Sequence, residues 1–322
     1  MSVVNQCDVS SNALIDPSGV DGCSNTHRAA TSGHPEAVEV GIDTIRWRRF
    51  LRPREMRGVY VGQLREVDGY RVQVYGHGLL VAEGHPLAEG LCPMDELPAA
   101  REYMLGCLEA AGLPVGHEAG LGRVDATVTV RHEHRAEGIA MLTAAAAIEA
   151  PRMKPVVYGR PPQTVYLQGA RSKKLYARIY DKGLESGLFP RGEYVRFEDQ
   201  RRFDRGTARV LREHRPDLDF QRRFAPHAKA AHGVTVTTAP VIARELAERV
   251  VSGEISPRKA ELLAGYVVMS ATGAPRVERT ARRRRAELRD LGYVVADELV
   301  SEAVTFRPAE TIEAALGAWS RA

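Results

Sequence analysis

The sequence predicts an α+β protein in which an antiparallel sheet is covered by helices on one face and followed by a C-terminal winged helix-turn-helix. Three observations favour this fold class. Polar and apolar residues alternate in strand-like segments between residues 123 and 199. Helix-like segments precede and separate those strands, and after about residue 235 the pattern is mostly helical. We therefore divide the chain into 1–37, 38–233 and 234–322.

The first part of the chain predicts short strands and two helices. Residues 1–37 are rich in Ser, Asn, Asp and Gly without periodicity, which is typical of a disordered leader. Strands are expected at 38–50, 58–64, 70–76 and 123–131. Helices are expected at 98–111, which precedes Gly112, and at 136–150, which precedes Pro151.

The central segment predicts a β-hairpin formed by residues 163–168 and 173–181. Its apolar side chains fall on one face, and Tyr, Arg and Lys are concentrated on the other. The strands 123–131 and 194–199 repeat this alternation. If these strands share one antiparallel sheet, its polar face gathers Asp125, Tyr180 and Glu198 with several cations and stays open to a ligand.

The C-terminal segment has the element order of a winged helix-turn-helix. Three helices are expected at 240–252, 257–270 and 275–291, the second capped by Ser256. Segments 293–296 and 303–306 are expected to form a short hairpin, and 309–318 a closing helix. The third helix stands where a recognition helix belongs and is rich in arginine, so we expect it to contact DNA.

Composition excludes several classes of protein. The chain is 44% hydrophobic and 27% charged, close to ordinary soluble proteins, and it has no apolar run long enough to span a bilayer. No signal peptide is recognisable, so a cytoplasmic location is expected. The four cysteines have no CxxC spacing that would indicate zinc or disulfides. Residues 152–233 hold 19 Lys and Arg against 9 Asp and Glu, an excess that suits a polyanion, although a solvated basic face is the alternative.

Three motifs resemble the replication initiation factor family, which comprises rolling-circle initiators of plasmids and filamentous phages and related relaxases. They are "TVYLQGARSKKLYARIYDKGLE" (164–185), "YVRFEDQRR" (194–202) and "GRVDATVTV" (122–130). The resemblance covers roughly residues 38–230. The chain departs from the family pattern at Thr129, where a second aspartate is usual, and in a hairpin motif that is one residue longer.

The resemblance implies a nicking enzyme with a tyrosine nucleophile. Its tyrosine falls on Tyr180, with Arg178 and Lys182 as cations that would favour the phenolate, and its carboxylates fall on Asp125 and Glu198, which would hold Mg²⁺ or Mn²⁺. We further expect these residues to contact DNA: Arg171, Lys173, Lys174, Tyr176, Arg196, Arg279, Arg282, Arg283, Arg284 and Arg285.

Other interpretations of these residues remain open. Tyr180 is also interpretable as a packing residue, and Tyr176 is a competing nucleophile on the same face. Asp125 and Glu198 are also candidates for salt bridges to Arg123 or Arg196. His132 and His134 form a possible metal-binding pair, but strand parity turns both away from Asp125.

The expected function is rolling-circle DNA replication initiation. The protein would bind a double-stranded origin, nick one strand by tyrosine transesterification and leave a 5′-phosphotyrosine. Single-stranded DNA would lie across the polar face, and host helicase and polymerase would be its partners. A homodimer is compatible with the resemblance, and no membrane is involved. A conjugative relaxase with the same chemistry and a non-catalytic DNA-binding regulator are the alternatives.

Overall fold

The computed structural model describes residues 35–57, 59, 61–86, 91–93, 95–114, 120–151, 153–159, 162–169, 175–203, 215–271, 277–295 and 305–321. The side chains of residues 168, 169, 175 and 176 lie outside this description. Residues 31–322 form one compact unit. In the described ranges no helix has the length and apolar character that crossing a membrane requires.

Nine strands form one sheet in which every neighbouring pair is antiparallel. The strands are β1 (Glu36–Phe50), β2 (Leu64–Val67), β3 (Tyr70–Val74), β4 (Leu79–Gly84), β5 (Gly120–Arg131), β6 (Met153–Tyr158), β7 (Thr164–Gly169), β8 (Leu175–Asp181) and β9 (Tyr194–Arg202). Their order across the sheet is β2-β3-β4-β1-β5-β9-β8-β7-β6.

Helices cover the apolar face of this sheet. They are α1 (Leu97–Ala110), α2 (Arg135–Ala147), α4 (Pro216–Ala231) and α8 (Pro308–Trp319), whereas the short α3 (Lys182–Ser186) directly follows β8 and brings Glu185 within 3.7 Å of Arg178. Helix α2 lies on β6–β9, α4 on β5 and β9, and α8 on β1 and β5. Aromatic side chains fill the layer between sheet and helices: Phe197 meets Phe224 edge-on at 5.6 Å, and Phe220 lies 5.9 Å from Trp319. The predicted α+β class with helices on one sheet face is therefore confirmed.

Three further helices form a second, smaller core. They are α5 (Ala239–Val251), α6 (Pro257–Ala271) and α7 (Glu278–Asp290), and they bury Ile242, Leu246, Leu263, Val267 and Leu288. Ser256 accepts a hydrogen bond from the Lys259 N–H at 3.3 Å, as expected for the cap of α6. We call α5, α6 and α7 the three-helix module.

The predicted C-terminal hairpin is wrong in its pairing. Strand β11 (Tyr293–Val295) pairs in parallel with β10 (Thr235–Thr237), and Phe306 bonds to Val236 on the other side of β10. The segments 293–296 and 303–306 were expected to pair with each other, but β10, which precedes α5 in the sequence, lies between their described residues. Residues 296, 303 and 304 of these segments lie outside the described residues.

Helix α8 also differs from the expected organisation. The sequence groups it with the C-terminal domain, but its buried residues, among them Ile312, Ala315 and Trp319, belong to the same core as the large sheet. Residues 35–233 and α8 therefore share one core, and the three-helix module lies between them in sequence.

Other expected elements are shifted or missed. The strand predicted at 58–64 is wrong over its described residues, because 59 and 61–63 are not in a strand and β2 begins only at Leu64. The predicted leader extends too far, since β1 already includes residues 36 and 37, while residues 1–34 lie outside the described residues. Strands β4, β6 and β10 and helices α3 and α4 were not predicted. Apart from the strand at 58–64 and the C-terminal hairpin, the predicted strands and helices are present, with ends displaced by up to a few residues.

Candidate functional site

The candidate site lies on the sheet face opposite the helices, which we call the polar face. Directly opposed residues of an antiparallel pair share a face, so the register identifies its members. Arg178 opposes Glu198, which opposes Thr127; in the next row, Tyr180 opposes Arg196, which opposes Thr129. The residues that alternation assigned to one face are therefore together. Asp125 joins them one row further along β5, opposite Gln200.

Tyr180 is enclosed by charged neighbours. Its side chain is only 2% exposed, its hydroxyl donates to Glu198 Oε2 at 3.4 Å, and the Arg178 guanidinium lies 4.3 Å from its ring centroid. Arg178 also pairs with Glu198 Oε2 at 2.6 Å. Burial, and then the Glu198 charge, raise the pKa of Tyr180 above its usual range more than Arg178 and Arg196 lower it.

That environment corrects one sequence-based expectation. Arg178 and Lys182 were expected to favour the Tyr180 phenolate. Arg178 does lower the pKa of Tyr180, but burial and the Glu198 charge outweigh it, so the pKa is raised. Lys182 is the first residue of α3 and pairs with Glu185 at 2.8 Å, and Glu185 also lies 3.7 Å from Arg178, so Lys182 is connected to the Tyr180 cluster through Glu185. The turn after Tyr180 is fixed instead by Asp181, whose carboxylate accepts from the N–H groups of Leu184 and Gly192.

Asp125 is buried in an ion pair. Arg123, two residues earlier on the same strand, donates from Nε to Asp125 Oδ1 at 2.7 Å and from Nη2 to Oδ2, and it also reaches Glu83 at 2.7 Å. Burial, reinforced by the nearby Glu198 charge, raises the pKa of Asp125 to about 7, although Arg123 opposes that rise. The salt bridge between Asp125 and Arg123, which the sequence left open as an alternative to metal binding, is therefore formed in the structure.

Only one of the two carboxylate oxygens of Glu198 accepts hydrogen bonds from described residues. Its Oε2 is shared by Arg178 and Tyr180, whereas Oε1 is buried without a hydrogen bond from any described residue. A buried carboxylate oxygen with open lone pairs is a suitable ligand for a hard divalent cation. Asp125 is less suitable while both of its oxygens accept from Arg123. The described ranges contain no group of three or more His, Cys, Asp or Glu side chains that would hold a metal.

The histidine pair does not reach this site. Strand β5 ends at Arg131, and His134 directly precedes α2. His132 is buried on the helix side, where its ring meets Phe306 edge-on at 5.8 Å and its Nδ1 lies 3.8 Å from a carboxylate oxygen of Glu137. Strand parity predicts this orientation.

The predicted DNA contacts divide into three groups. Arg171, Lys173, Lys174 and the side chain of Tyr176 lie outside the described residues. Two arginines are turned inward: Arg196 is buried and bonds to Thr129, Asp43 and Glu39, and Arg284 is buried and pairs with Glu287. The remaining four lie exposed on α7: Arg279, Arg282, Arg283 and Arg285.

Only part of that exposed set is free of partners. Arg283 pairs with Glu287 at 3.5 Å and Arg285 with Glu278 at 2.6 Å, whereas Arg279 and Arg282 make no ion pair with any described residue. The cations available for phosphate contact on α7 are therefore Arg279 and Arg282.

Sequence reasoning missed two features of the polar face. Glu39 and Asp43, which bind Arg196, come from a strand more than 150 residues away, and no local pattern indicates that contact. Tyr158 lies on β6, a strand that was not predicted because it contains Pro155, and proline inside a segment argues against a strand.

No protein-family model matches the chain, and no curated protein is significantly similar to it.

Proposed function

We propose that the protein is a DNA-nicking enzyme of the rolling-circle type, with Tyr180 as the nucleophile. The observation that carries this proposal is the contact between the Tyr180 hydroxyl and Glu198 Oε2, with Arg178 bound to the same oxygen. A tyrosine, a carboxylate and a guanidinium converge there on the sheet face opposite α2, α4 and α8. Such a cluster supplies a nucleophile, a proton acceptor and a phosphate-binding cation.

The chemistry would be transesterification. The Tyr180 oxygen attacks the scissile phosphorus, a phenol O–P bond forms, and the P–O bond to the 3′ oxygen breaks, leaving a 5′-phosphotyrosine and a 3′-hydroxyl. Glu198 is positioned to accept the phenolic proton, because it already accepts that hydrogen bond. A base is needed, since the pKa of Tyr180 is raised by burial. Arg178 would bind a non-bridging phosphate oxygen.

A divalent cation, Mg²⁺ or Mn²⁺, is part of the proposal. Glu198 Oε1 would bind it, and Asp125 would join once Arg123 is drawn to a DNA phosphate. Such an ion would withdraw charge from the scissile phosphate oxygens.

The three-helix module would bind the duplex origin. Helix α7 presents Arg279 and Arg282 to solvent, and its position after α5 and α6 supports the role of a recognition helix in a helix-turn-helix without the expected wing hairpin. Phosphate contacts from these arginines would orient the protein on the duplex. Host helicase and polymerase would then act on the nicked origin.

A non-catalytic DNA-binding regulator is the second candidate. It is favoured by the burial of Tyr180 and by the ion pair that occupies Asp125. In a regulator these contacts would be permanent and structural. In a nicking enzyme they must open when DNA binds, because a phosphorus atom has to reach the Tyr180 oxygen. A conjugative relaxase would share the nicking chemistry and differ only in its DNA target.

The deciding experiment compares Tyr180→Phe with the wild-type protein. Supercoiled DNA carrying candidate origins is incubated with each protein and with Mg²⁺, Mn²⁺ or EDTA. We expect wild type to give nicked DNA with protein attached and Tyr180→Phe to give none, while origin affinity stays nearly unchanged. Tyr194→Phe, on the neighbouring strand and also on the polar face, is the matched control and should nick normally.

Peptide mapping of the adduct identifies the nucleophile. A DNA-linked peptide whose modified residue is Tyr176 would reassign the role. Origin binding by the wild type without any nick or adduct under all metal conditions would favour the regulator.

A further inference from the structure

One open part of the polar face lies at its β6 edge. Around Asp125, Glu198 and Tyr180 the side chains are almost fully buried. On β6, by contrast, Tyr158 is 57% exposed, and Lys154 and Val156 are exposed beside it. A ligand that approaches the polar face from this edge therefore meets β6 before it reaches Tyr180.

Two tyrosines form a pair at this edge. The Tyr158 and Tyr166 rings lie 5.5 Å apart at an interplanar angle of 74°, an edge-to-face contact that leaves the outer ring in solvent. Cross-strand register places Tyr158 opposite Thr164 and Thr164 opposite Tyr180, so all three residues share the polar face. Two strand spacings separate Tyr158 from Tyr180, which is roughly 10 Å.

Cations lie beside the tyrosine pair. Tyr166 directly opposes Arg178, and Lys154 stands on the same face of β6 without an ion-pair partner among the described residues. An exposed ring packed on a half-buried one, with cations nearby, suits a ligand with both flat rings and phosphates, namely a single-stranded nucleic acid. Within the segment 152–233, which contains this edge, the net charge is +10, from 19 Lys and Arg against 9 Asp and Glu.

We propose that Tyr158 and Tyr166, flanked by Lys154, form a stacking platform for unpaired bases of the DNA strand to be cut. This inference rests on the proposed nicking function and specifies where the single strand enters the site. The bases next to the scissile phosphate stack on the tyrosine pair, and the phosphates between them run past Arg178 towards Tyr180.

A second copy of the chain is the competing occupant of this edge. Among the described strands β6 pairs only with β7, so its outer backbone is open to strand addition. Pro155 in the middle of β6 opposes that pairing, because proline removes a backbone N–H from the edge. The exposed ring and the nearby lysine favour nucleic acid over another strand.

The test measures binding of a fluorescein-labelled oligothymidylate by anisotropy at several salt concentrations. Tyr158→Ala should weaken single-strand affinity by roughly 5- to 100-fold, the range expected when one base can no longer stack. Tyr158→Phe should bind like wild type, since the ring is kept. The dependence of log affinity on log salt should not change with Tyr158→Ala, whereas Lys154→Gln should reduce its slope by about 0.7.

The matched control is Tyr103→Ala. Tyr103 is 58% exposed, as much as Tyr158, but lies on α1, away from the polar face. We expect it to bind the oligonucleotide like wild type. Wild-type affinity in Tyr158→Ala, or an equal loss on duplex DNA of the same length, would overturn the platform. So would a change from dimer to monomer in Tyr158→Ala without a change in affinity.

Binding of the oligonucleotide can be measured independently of cleavage. If Tyr158→Ala loses single-strand affinity but wild type forms no DNA adduct, the platform stands and the nicking function fails. If wild type forms the adduct but Tyr158→Ala binds normally, the nicking function stands and the platform fails.

Discussion

Asp125→Asn tests the electrostatics of the polar face without any need for a DNA substrate. Asp125 is 1% exposed, and burial together with Glu198 raises its pKa from the ordinary 3.8 to about 7 in the folded protein. Between those two pH values the folded protein holds a proton that the unfolded chain has lost. The contribution of Asp125 to wild-type stability must therefore fall as pH rises through this window, because the folded state binds more protons at this group.

The expected size follows from the pKa difference. Each unit is worth about 1.36 kcal/mol, so between pH 5 and pH 8 the wild-type free energy of unfolding falls by about 2–3 kcal/mol through Asp125. Asparagine keeps the size and polarity of the protonated acid but cannot ionise. The stability of Asp125→Asn relative to wild type should thus increase by that amount from pH 5 to pH 8.

Urea unfolding at pH 5, 6, 7 and 8 in EDTA measures this difference. Asp217→Asn is the control, because the Arg215 hydrogen bond lowers the pKa of Asp217 and its ionisation does not change in this range. A constant difference between Asp125→Asn and wild type across the four pH values would refute the reasoning. Asp125 would then be ionised at pH 5 and fully compensated by Arg123.

Two further predictions concern the C-terminal third of the chain. Replacing Arg279 and Arg282 with alanine should reduce the slope of log duplex affinity against log salt, measured by anisotropy, by up to ~0.9 for each phosphate that is no longer bound. Arg284→Ala should instead lower the melting temperature, because Arg284 is buried and pairs with Glu287 on the same helix. Equal salt slopes in wild type, the double variant and Arg284→Ala would exclude α7 as the DNA-binding helix. Removing residues 235–322 should abolish cooperative unfolding, because Trp319 and the rest of α8 are part of the core beneath the large sheet. A truncated protein with a wild-type circular dichroism spectrum and a sharp thermal unfolding transition would contradict this prediction.

Alternation of polar and apolar residues was enough to predict the centre of the site. In β5, β8 and β9 the period of two placed Asp125, Tyr180 and Glu198 on one face, and the register agrees. Helices with clear caps or stops, such as α6 after Ser256, were also predictable. These signals are local, so they are readable without knowledge of the fold.

The missed elements had weaker local signals. Helix α4 contains Pro226 and many charged residues, although Phe220 and Phe224 have the four-residue spacing of a buried helix face. The pairing of β10 with β11 joins segments more than 50 residues apart, and no local pattern indicates it. The burial of Tyr180 was equally hidden, because it depends on which strands lie beside β8.

The position of α8 constrains the order in which the protein folds. This helix packs on β1, so residues near the two ends of the described chain meet in one core. Contacts between such distant residues form slowly, because a long loop must close before they yield any stabilisation. During synthesis the apolar face of the sheet would stay partly uncovered until residues 308–319 have left the ribosome and α8 can pack on it. The three-helix module, whose core comes from consecutive helices, can meanwhile fold first, so the proposed DNA reader would take shape before the proposed nicking site.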